Sequence, residues 1–158
     1  QVDDEEMAPM VGNWGISDIA QPFEVSCEQS AEKTIISGKH AGYQRLEDSV
    51  THKRRFEIEK NDFKLTCIDE IDCESSHNIK RNLHFNEKAV LEIKENVIFI
   101  KNDKISSKIT VDNATAIRIE NYTLSYNYGS KVTAQKVVLE TEITGKSSLQ
   151  FTIEKEND

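Results

Sequence analysis

From Phe23 onward, hydrophobic and polar residues alternate along the chain, and a helical period is hard to find anywhere. Successive side chains of a β-strand point to opposite faces, so this alternation predicts strands with one buried face. Short polar turns separate the runs, which is typical of antiparallel strands joined by hairpins. The predicted strands are, in chain order, 23–27, 33–37, 50–59, 63–67, 79–85, 90–93, 97–100, 105–111, 116–119, 122–126, 136–144 and 148–153.

Strands in this number must stack as two sheets or close into a barrel, because each has one apolar face to bury. We therefore predict an all-β fold in a chain of 158 residues, which is about one domain long. Residues 23–158 form the β-domain in this interpretation. Residues 1–22 are expected to form an irregular loop that packs large side chains, Trp14 among them, onto the sheet.

The composition of the chain disfavours some classes of binding partner. The net charge of -8 and pI near 5.1 disfavour nucleic acid, because neutralising phosphates requires a dominant basic face. No apolar run approaches the roughly 20 residues that span a membrane as a helix. The sequence opens with Gln1 rather than Met and has no signal-peptide pattern, so we expect it to be a segment of a longer protein.

Common motifs for cofactors and metals do not occur in the sequence. It has no glycine-rich phosphate loop, no paired histidine or cysteine metal spacing and no Gly-x-Ser-x-Gly motif. The acidic run from Asp3 to Glu6 lacks the spaced oxygen ligands of a calcium loop. The three cysteines Cys27, Cys67 and Cys73 fit either free thiols or one disulfide with a thiol left over.

The stretch from Ser37 to Phe56 carries most of the candidate chemistry: two glycines, two of the four histidines, a tyrosine and five cations. On an alternating strand, His52 and Arg54 share one face with Phe56, whereas Thr51, Lys53 and Arg55 share the other. Cations beside an aromatic side chain suit an anionic sugar. Further cations, Lys80, Arg81 and His84, lie on a later strand. The candidate glycan contacts are His40, Tyr43, Arg45, His52 and Arg54.

A second interpretation of the same stretch stays open. Lysine and arginine on an edge strand face solvent and oppose aggregation. Gly38 and Gly42 would then only allow a positive φ in a turn, and Tyr43 would be a core residue.

The segments 39–46 (Lys-His-Ala-Gly-Tyr-Gln-Arg-Leu) and 50–55 (Val-Thr-His-Lys-Arg-Arg) resemble the His-x-Gly-Tyr-x-x-Leu and Val-x-His-x-Arg pattern of the heparinase II/III-like polysaccharide lyases. Residues 69–85 are similar to the segment of that family in which a strand ends in an acidic turn before a Leu-His-Phe sequence. The segments 2–7, 126–129 and 149–153 fall where the family has comparable sequence. The resemblance covers nearly the whole chain in order.

This resemblance implies the C-terminal β-sandwich of a lyase in which an (α/α) toroid precedes stacked antiparallel sheets. Such lyases cleave uronic-acid-containing polysaccharides by β-elimination. It implies an anionic polysaccharide and the upstream helical toroid as partners, and a periplasmic or secreted location. The family's catalytic and metal-ligating residues largely precede this stretch, so we assign no catalytic and no metal role to any residue here. A divalent metal is expected only in the parent's upstream strands.

One alternative is an autonomous carbohydrate-binding or adhesion sandwich without lyase activity. It would predict a flat aromatic platform, yet Trp14 is the single tryptophan and aromatic residues make up 7% of the chain. A self-contained lyase using His40, Tyr43 and His52 would lack a deep-cleft scaffold of its own. In a fragment of a longer protein, an exposed sheet edge that normally pairs with missing strands would invite dimerisation.

Overall fold

β-Strands are the regular secondary structure of the residues that the structure describes. The computed structural model describes residues 1–13, 15–103 and 105–156, and within these ranges it has no helix, hence none that could cross a membrane. The strands are β1 (Met10–Val11), β2 (Gly15–Ile16), β3 (Pro22–Gln29), β4 (Lys33–His40), β5 (Thr51–Glu59), β6 (Lys64–Asp72), β7 (Ser76–His84), β8 (Val90–Lys94), β9 (Val97–Lys101), β10 (Ser106–Asp112), β11 (Ala116–Leu124), β12 (Val132–Thr144) and β13 (Ser147–Lys155).

Two antiparallel sheets stack face to face. The large sheet has eight strands in the order β3-β4-β5-β6-β13-β10-β9-β8, and the small sheet has three in the order β11-β12-β7. A separate hairpin pairs β1 with β2. The two edge strands of the large sheet do not pair with each other, so the domain is a sandwich rather than a closed barrel.

Two hydrophobic clusters hold the sheets together. In the first, Ile98, Ile109 and Phe151 of the large sheet pack with Val137 and Leu139 of the small sheet. The second contains Val2, Tyr43, Val50, Ile71, Cys73, Ile79, Ile143 and Leu149. Both draw on both sheets, as expected when each strand buries one face.

A layer of buried polar residues separates the two clusters. Asp69 on β6, Arg81 on β7 and Thr141 on β12 all point inward and are at most 6% exposed. The Thr141 hydroxyl donates to the Asn113 carbonyl oxygen at 3.0 Å. The layer continues along the large sheet to His52 and His40, and it becomes the candidate site.

The hairpin predicted around residues 60–62 is confirmed, with β5 and β6 paired from Thr51 opposite Asp72 to Glu59 opposite Lys64. Two details differ from the prediction. Phe63 lies in the turn with a φ of 47° and is 80% exposed, so it does not extend the buried face. The acidic residues 69–72 belong to β6 itself rather than to a turn.

The first residues pair with the free edge of β7. The Gln1 amine donates to the Lys80 carbonyl oxygen at 2.8 Å, and the Asp3 amide donates to the Asn78 carbonyl oxygen at 2.9 Å. Further along, Met10 and Ile16 are 64% and 70% exposed. The expectation that this segment packs its large side chains onto the sheet is therefore wrong for these two residues. Trp14, included in that expectation, lies outside the described residues.

The three cysteines are free thiols. Cys67 and Cys73 are buried and Cys27 is exposed. Of the two interpretations that the sequence left open, the structure therefore has the one without a disulfide.

Candidate functional site

Four of the five candidate residues come together on the inner face of the large sheet. His40 on β4 lies directly opposite His52 on β5, and Arg54 lies opposite Asp69 on β6. The Tyr43 and His40 rings make an edge-type contact, with centroids 5.3 Å apart and planes at 60°. Because strand side chains alternate, His52 and Arg54 necessarily face the same way, as the sequence predicts.

The inward residues form one continuous chain of hydrogen bonds. The Gly42 amide lies 3.2 Å from His40 Nδ1, His40 Nε2 lies 2.8 Å from His52 Nδ1, and His52 Nε2 lies 2.8 Å from Asp69 Oδ1. A backbone amide can only donate, and an ionised carboxylate can only accept. Each imidazole must therefore accept at Nδ1 and donate at Nε2, so both histidines are neutral in this arrangement.

Asp69 anchors that chain as a buried carboxylate. Arg54 Nε donates to its Oδ1 at 2.6 Å and Arg54 Nη2 to its Oδ2 at 3.0 Å, a two-point ion pair. Burial raises the pKa of Asp69, but the hydrogen bonds from His52 and Arg54 and the charge of Arg54 outweigh burial and hold the pKa well below its ordinary value. Asp69 is thus ionised at neutral pH.

His40 and Tyr43 are both held in their neutral forms. Burial, together with His52 and Arg54, lowers the pKa of His40 to about 4. Burial raises the pKa of Tyr43 to about 12, with Glu6 as a further cause. Neither value lies near neutral pH, where a general acid or base works best. Both nitrogens of His40 are also already engaged in hydrogen bonds.

Arg81 enters the site from the small sheet. It is 5% exposed, and its Nε, Nη1 and Nη2 atoms find no hydrogen-bond acceptor among the described residues. Its guanidinium lies 5.9 Å from the centre of the Phe151 ring. Burial lowers its pKa, opposed by the charge of Asp69.

These residues line an open cleft of about 250 Å³ between the sheets. His40, Tyr43, His52 and Arg54 form one wall, and the residues of β7 from Lys80 to His84 form the other. Gln1, Glu6 and Met7 border it as well. A smaller cavity of about 40 Å³ extends inward beside Arg81 and Asp69.

The fifth candidate, Arg45, lies outside the cleft. Its Nη2 contacts Glu5 Oε2 at 2.7 Å and the Glu6 carbonyl oxygen at 3.0 Å, and its Nη1 contacts the Gly42 carbonyl oxygen at 3.2 Å. Arg45 therefore ties the loop after β4 to the N-terminal segment that borders the cleft.

Gly42 has a packing role rather than the positive φ suggested by the sequence. A Cβ atom at this position would lie 2.3 Å from the Met7 carbonyl oxygen, so only glycine lets the two segments approach this closely. Gly38 does not have a positive φ either. Its added Cβ would meet Val25 Cγ2 at 3.3 Å.

The basic residues of β5 fit both interpretations that the sequence left open, because some face solvent and others face the cleft. Lys53 and Arg55 point outward, where they pair with Glu70 at 3.0 Å and Glu57 at 2.7 Å. They are part of a solvated, ion-paired surface. His52 and Arg54 face the cleft.

Sequence reasoning missed the role of Asp69 and the isolation of Arg81. A signal for the first exists in the alternation of β6, which places Asp69 on the same face as Cys67 and Ile71. Arg81 likewise follows the inward register of its strand, between Ile79 and Leu83. Its lack of a hydrogen-bond partner among the described residues depends on the distance between the two sheets. The residues around Arg81 in the sequence do not determine that distance.

Two further features of the molecule do not form a comparable site. An open groove of about 800 Å³ lies on the outer face of the large sheet, but its Lys64 and Lys108 both pair with Glu154, at 3.7 Å and 3.5 Å. Among the described residues, no group of three or more His, Cys, Asp or Glu side chains is arranged to hold a metal ion.

Comparisons with known proteins show which family the chain is similar to. A family model described as "Heparinase II/III-like, C-terminal" matches residues 1–152. A search of curated proteins found no significant match.

Among solved structures, the chain is similar to the heparan sulfate lyase HepC from Pedobacter heparinus, with a TM-score of 0.73 and 14% identity over 87% of this chain and 22% of that one. It is also similar to heparinase III, with a TM-score of 0.58 and 13% identity over 84% of this chain and 20% of that one. A 4-alpha-glucanotransferase from Thermococcus litoralis reaches a TM-score of 0.56 at 10% identity, over 84% and 22%. At such identities the likeness shows the fold alone, and the chain spans about a fifth of these proteins.

Proposed function

The chain belongs to the heparinase II/III-like, C-terminal family, and we propose that it forms the β-sheet wall of a cleft in which a longer lyase of that family cleaves an acidic polysaccharide. The observation that carries this proposal is the pair of inward guanidinium groups, Arg54 and Arg81, beside the neutral His40 and His52 in an open cleft, on a domain whose net charge is -8. A local cationic cleft on an acidic domain supports selective binding of a negatively charged sugar.

The reaction proposed for the parent is β-elimination at a uronic acid. A base removes the proton on the carbon next to the carboxyl group, the electron pair forms a carbon–carbon double bond, and the 4-linked oxygen leaves with a proton from an acid. Positive charge at the uronate carboxylate stabilises the negative charge that develops there. Arg54 and Arg81 are suited to that role, because a guanidinium can hold a carboxylate at two points.

The acid and the base are assigned to the rest of the parent. The pKa of Tyr43 is raised to about 12 and that of His40 is lowered to about 4, so neither suits proton transfer at neutral pH. The proposal therefore treats this domain alone as non-catalytic, and it requires neither a metal nor another cofactor within these residues.

The test compares the full-length parent with this domain, using the ultraviolet absorbance of the unsaturated uronate product. Substrates are heparan sulfate, chondroitin sulfate, hyaluronan and alginate. We expect product from the parent on at least one substrate and none from the domain. Product from the domain alone would contradict its non-catalytic role. Polysaccharide binding with no product from either protein would favour the autonomous binding module.

A matched pair of parent variants tests whether the cleft contributes. Arg54→Gln removes the inward cation, and we expect kcat/KM to fall at least about tenfold, because a charge-assisted hydrogen bond contributes roughly 1.5–3 kcal/mol. Arg55→Gln, one residue away and facing outward, is the control and should stay within about twofold. Equal activity of the two variants would remove the cleft from the mechanism.

A further inference from the structure

Arg81 presents a problem of unmet hydrogen bonding. It is 5% exposed, and none of its three guanidinium nitrogens has an acceptor among the residues that the structure describes. A guanidinium stays charged and carries five N–H donors. Buried polar groups nearly always find partners, and an unpaired buried charge is costly. This is an arrangement that an added acceptor would stabilise.

The Asp69 carboxylate, whose charge acts on Arg81, does not supply that acceptor. Asp69 Oδ1 already accepts from His52 and from Arg54 Nε, and Oδ2 accepts from Arg54 Nη2. With both histidines neutral, the layer holds two guanidinium charges and one carboxylate. It therefore carries one net positive charge, and an anion with one negative charge would balance it.

The space beside Arg81 suits a small charged group. The inner cavity of about 40 Å³ is lined by Arg81, Arg54, His52 and Tyr43 among others, and the same four residues border the open cleft of about 250 Å³. By the same measure, a cavity needs about 10–15 Å³ to hold one water molecule. The cavity is thus of a size for one oxyanion group, while the remainder of a larger molecule stays in the cleft.

We propose that Arg81 anchors an anion site between the two sheets, which takes one carboxylate or sulfate group. A carboxylate can engage a guanidinium at two points, and a sulfate offers three oxygens to the same donors. That this group belongs to an acidic sugar rests on the proposed function. The anion site itself does not depend on it, because Arg81 needs an acceptor in either case.

The test follows the Nε–H resonances of arginine by nuclear magnetic resonance in the purified chain. Sodium sulfate, sodium acetate and sodium glucuronate are titrated at constant ionic strength. We expect a saturable shift of the Arg81 resonance, and binding at least about tenfold weaker in Arg81→Lys, since a single ammonium cannot reproduce the two-point contact. The control Arg118→Lys alters an outward arginine on the same sheet, paired with Glu120 and Glu140, and should leave binding unchanged.

Each outcome has a defined meaning. Saturation by sulfate alone, or by acetate and glucuronate alone, supports the site and identifies its anion. A linear response that Arg81→Lys does not change overturns it. If Arg81→Lys fails to fold, the wild-type titration still decides, because the Arg81 resonance can be assigned from its proximity to the Phe151 ring.

Polysaccharide binding by the same variants separates this inference from the proposed function. Small-anion binding at Arg81 without polysaccharide binding would support the site and contradict the cleft wall. Polysaccharide binding that is insensitive to Arg81→Lys would support the cleft wall and overturn the assignment of the Arg81 anion to an acidic sugar.

Discussion

At the scale of single residues, the chain of hydrogen bonds from Gly42 to Asp69 has a fixed direction. The backbone amide at one end and the ionised carboxylate at the other determine which nitrogen of His40 and His52 carries the proton. Protonating His40 would break this order. The low pKa of His40, caused chiefly by burial, agrees with that constraint.

Removing the carboxylate of this chain should destabilise the fold. Asp69→Asn leaves the Arg54 guanidinium without its counter-charge, and breaking a buried ion pair typically costs about 3–5 kcal/mol. Because 42% of the Arg54 side chain is exposed to solvent, we expect a smaller loss in the free energy of unfolding, about 2–3 kcal/mol.

Urea denaturation measures that loss, and Glu70→Gln on the next residue is its control. Glu70 points outward, and its side chain is 51% exposed beside Lys53. Its substitution should change stability by less than about 0.5 kcal/mol. Similar losses for the two variants would mean that Asp69 is not the anchor described above.

A second buried histidine, His77, joins two carboxylates from separate segments. Its Nδ1 lies 2.5 Å from Asp3 Oδ2, and its Nε2 lies 2.8 Å from Asp48 Oδ2. Burial lowers the pKa of His77, but the hydrogen bonds to Asp3 and Asp48 outweigh it and raise the pKa above its ordinary value of 6.5. The charged form thus holds the N-terminal segment and the loop after β4 onto β7.

This pairing predicts how stability changes with pH. A raised folded-state pKa contributes stability that is fully present below pH 6.5, the ordinary value of the group, and is lost as the pH rises through the raised value. The free energy of unfolding of His77→Gln should therefore lie furthest below that of the wild type near pH 6, with the gap narrowing at higher pH. Urea denaturation between about pH 5.5 and 9 measures this gap.

His84→Gln is the control, because His84 does not contact Asp3 or Asp48, and it should not reproduce the trend. A constant gap across this range would exclude the charged pairing.

At the scale of elements, the cleft depends on the close approach of the loop after β4 to the N-terminal segment. Gly42→Ala would place a Cβ atom 2.3 Å from the Met7 carbonyl oxygen, so one segment must move. We expect a loss of about 1–3 kcal/mol, typical of overpacking. Thermal unfolding measures it, with Gly38→Ala as the control, because that Cβ comes no closer than 3.3 Å to another atom, the Val25 Cγ2. Equal tolerance of both variants would contradict the packing role of Gly42.

The β3–β4 hairpin extends beyond the cover of the small sheet. Every residue of β3 is exposed, its outer edge is unpaired within the described residues, and its pairing with β4 is interrupted between Phe23 and Ser26. Such a register irregularity at a sheet edge hinders pairing with another chain. The edge-to-edge dimer expected from the sequence therefore stays a prediction, and one that this irregularity disfavours at β3.

Hydrogen exchange should show this hairpin opening before the rest of the sheet. Few buried apolar contacts and an open edge give a low local stability. Amides of Ser26 to Gln29 should exchange on the order of 100-fold faster, or more, than those of Cys67 to Ile71 in β6. Equal protection of the two strands would contradict the low local stability of β3.

Some contacts of the site could be predicted from the sequence and others could not. The alternation along β5 gives the shared face of His52 and Arg54, since it depends only on strand geometry. The contact between Arg54 and Asp69 also needs the register of the β5–β6 hairpin, which the turn after Glu59 sets. Arg45 and Gly42 lie in a loop without periodicity, so their contacts with residues 5–7 could not be predicted.

At the scale of the whole molecule, the polar layer lies across the core without dividing it into separate units. Several strands pass through both hydrophobic clusters. Among them, β6 contributes Cys67 to the first and Ile71 to the second, β12 contributes Val137 and Leu139 to the first and Ile143 to the second, and β13 contributes Phe151 to the first and Leu149 to the second. Losing the packing of either cluster therefore disturbs strands that the other one needs.

This continuity predicts a single cooperative unfolding transition. Ile98→Val in the first cluster and Ile79→Val in the second should each lower the free energy of unfolding by about 0.5–1.5 kcal/mol, with an unchanged urea m-value. Far-ultraviolet circular dichroism and tyrosine fluorescence should give coincident curves for both variants. If Ile79→Val instead produced an early transition seen by only one probe, the layer of Asp69, Arg81 and Thr141 would be a boundary between two folding units rather than a polar seam within one.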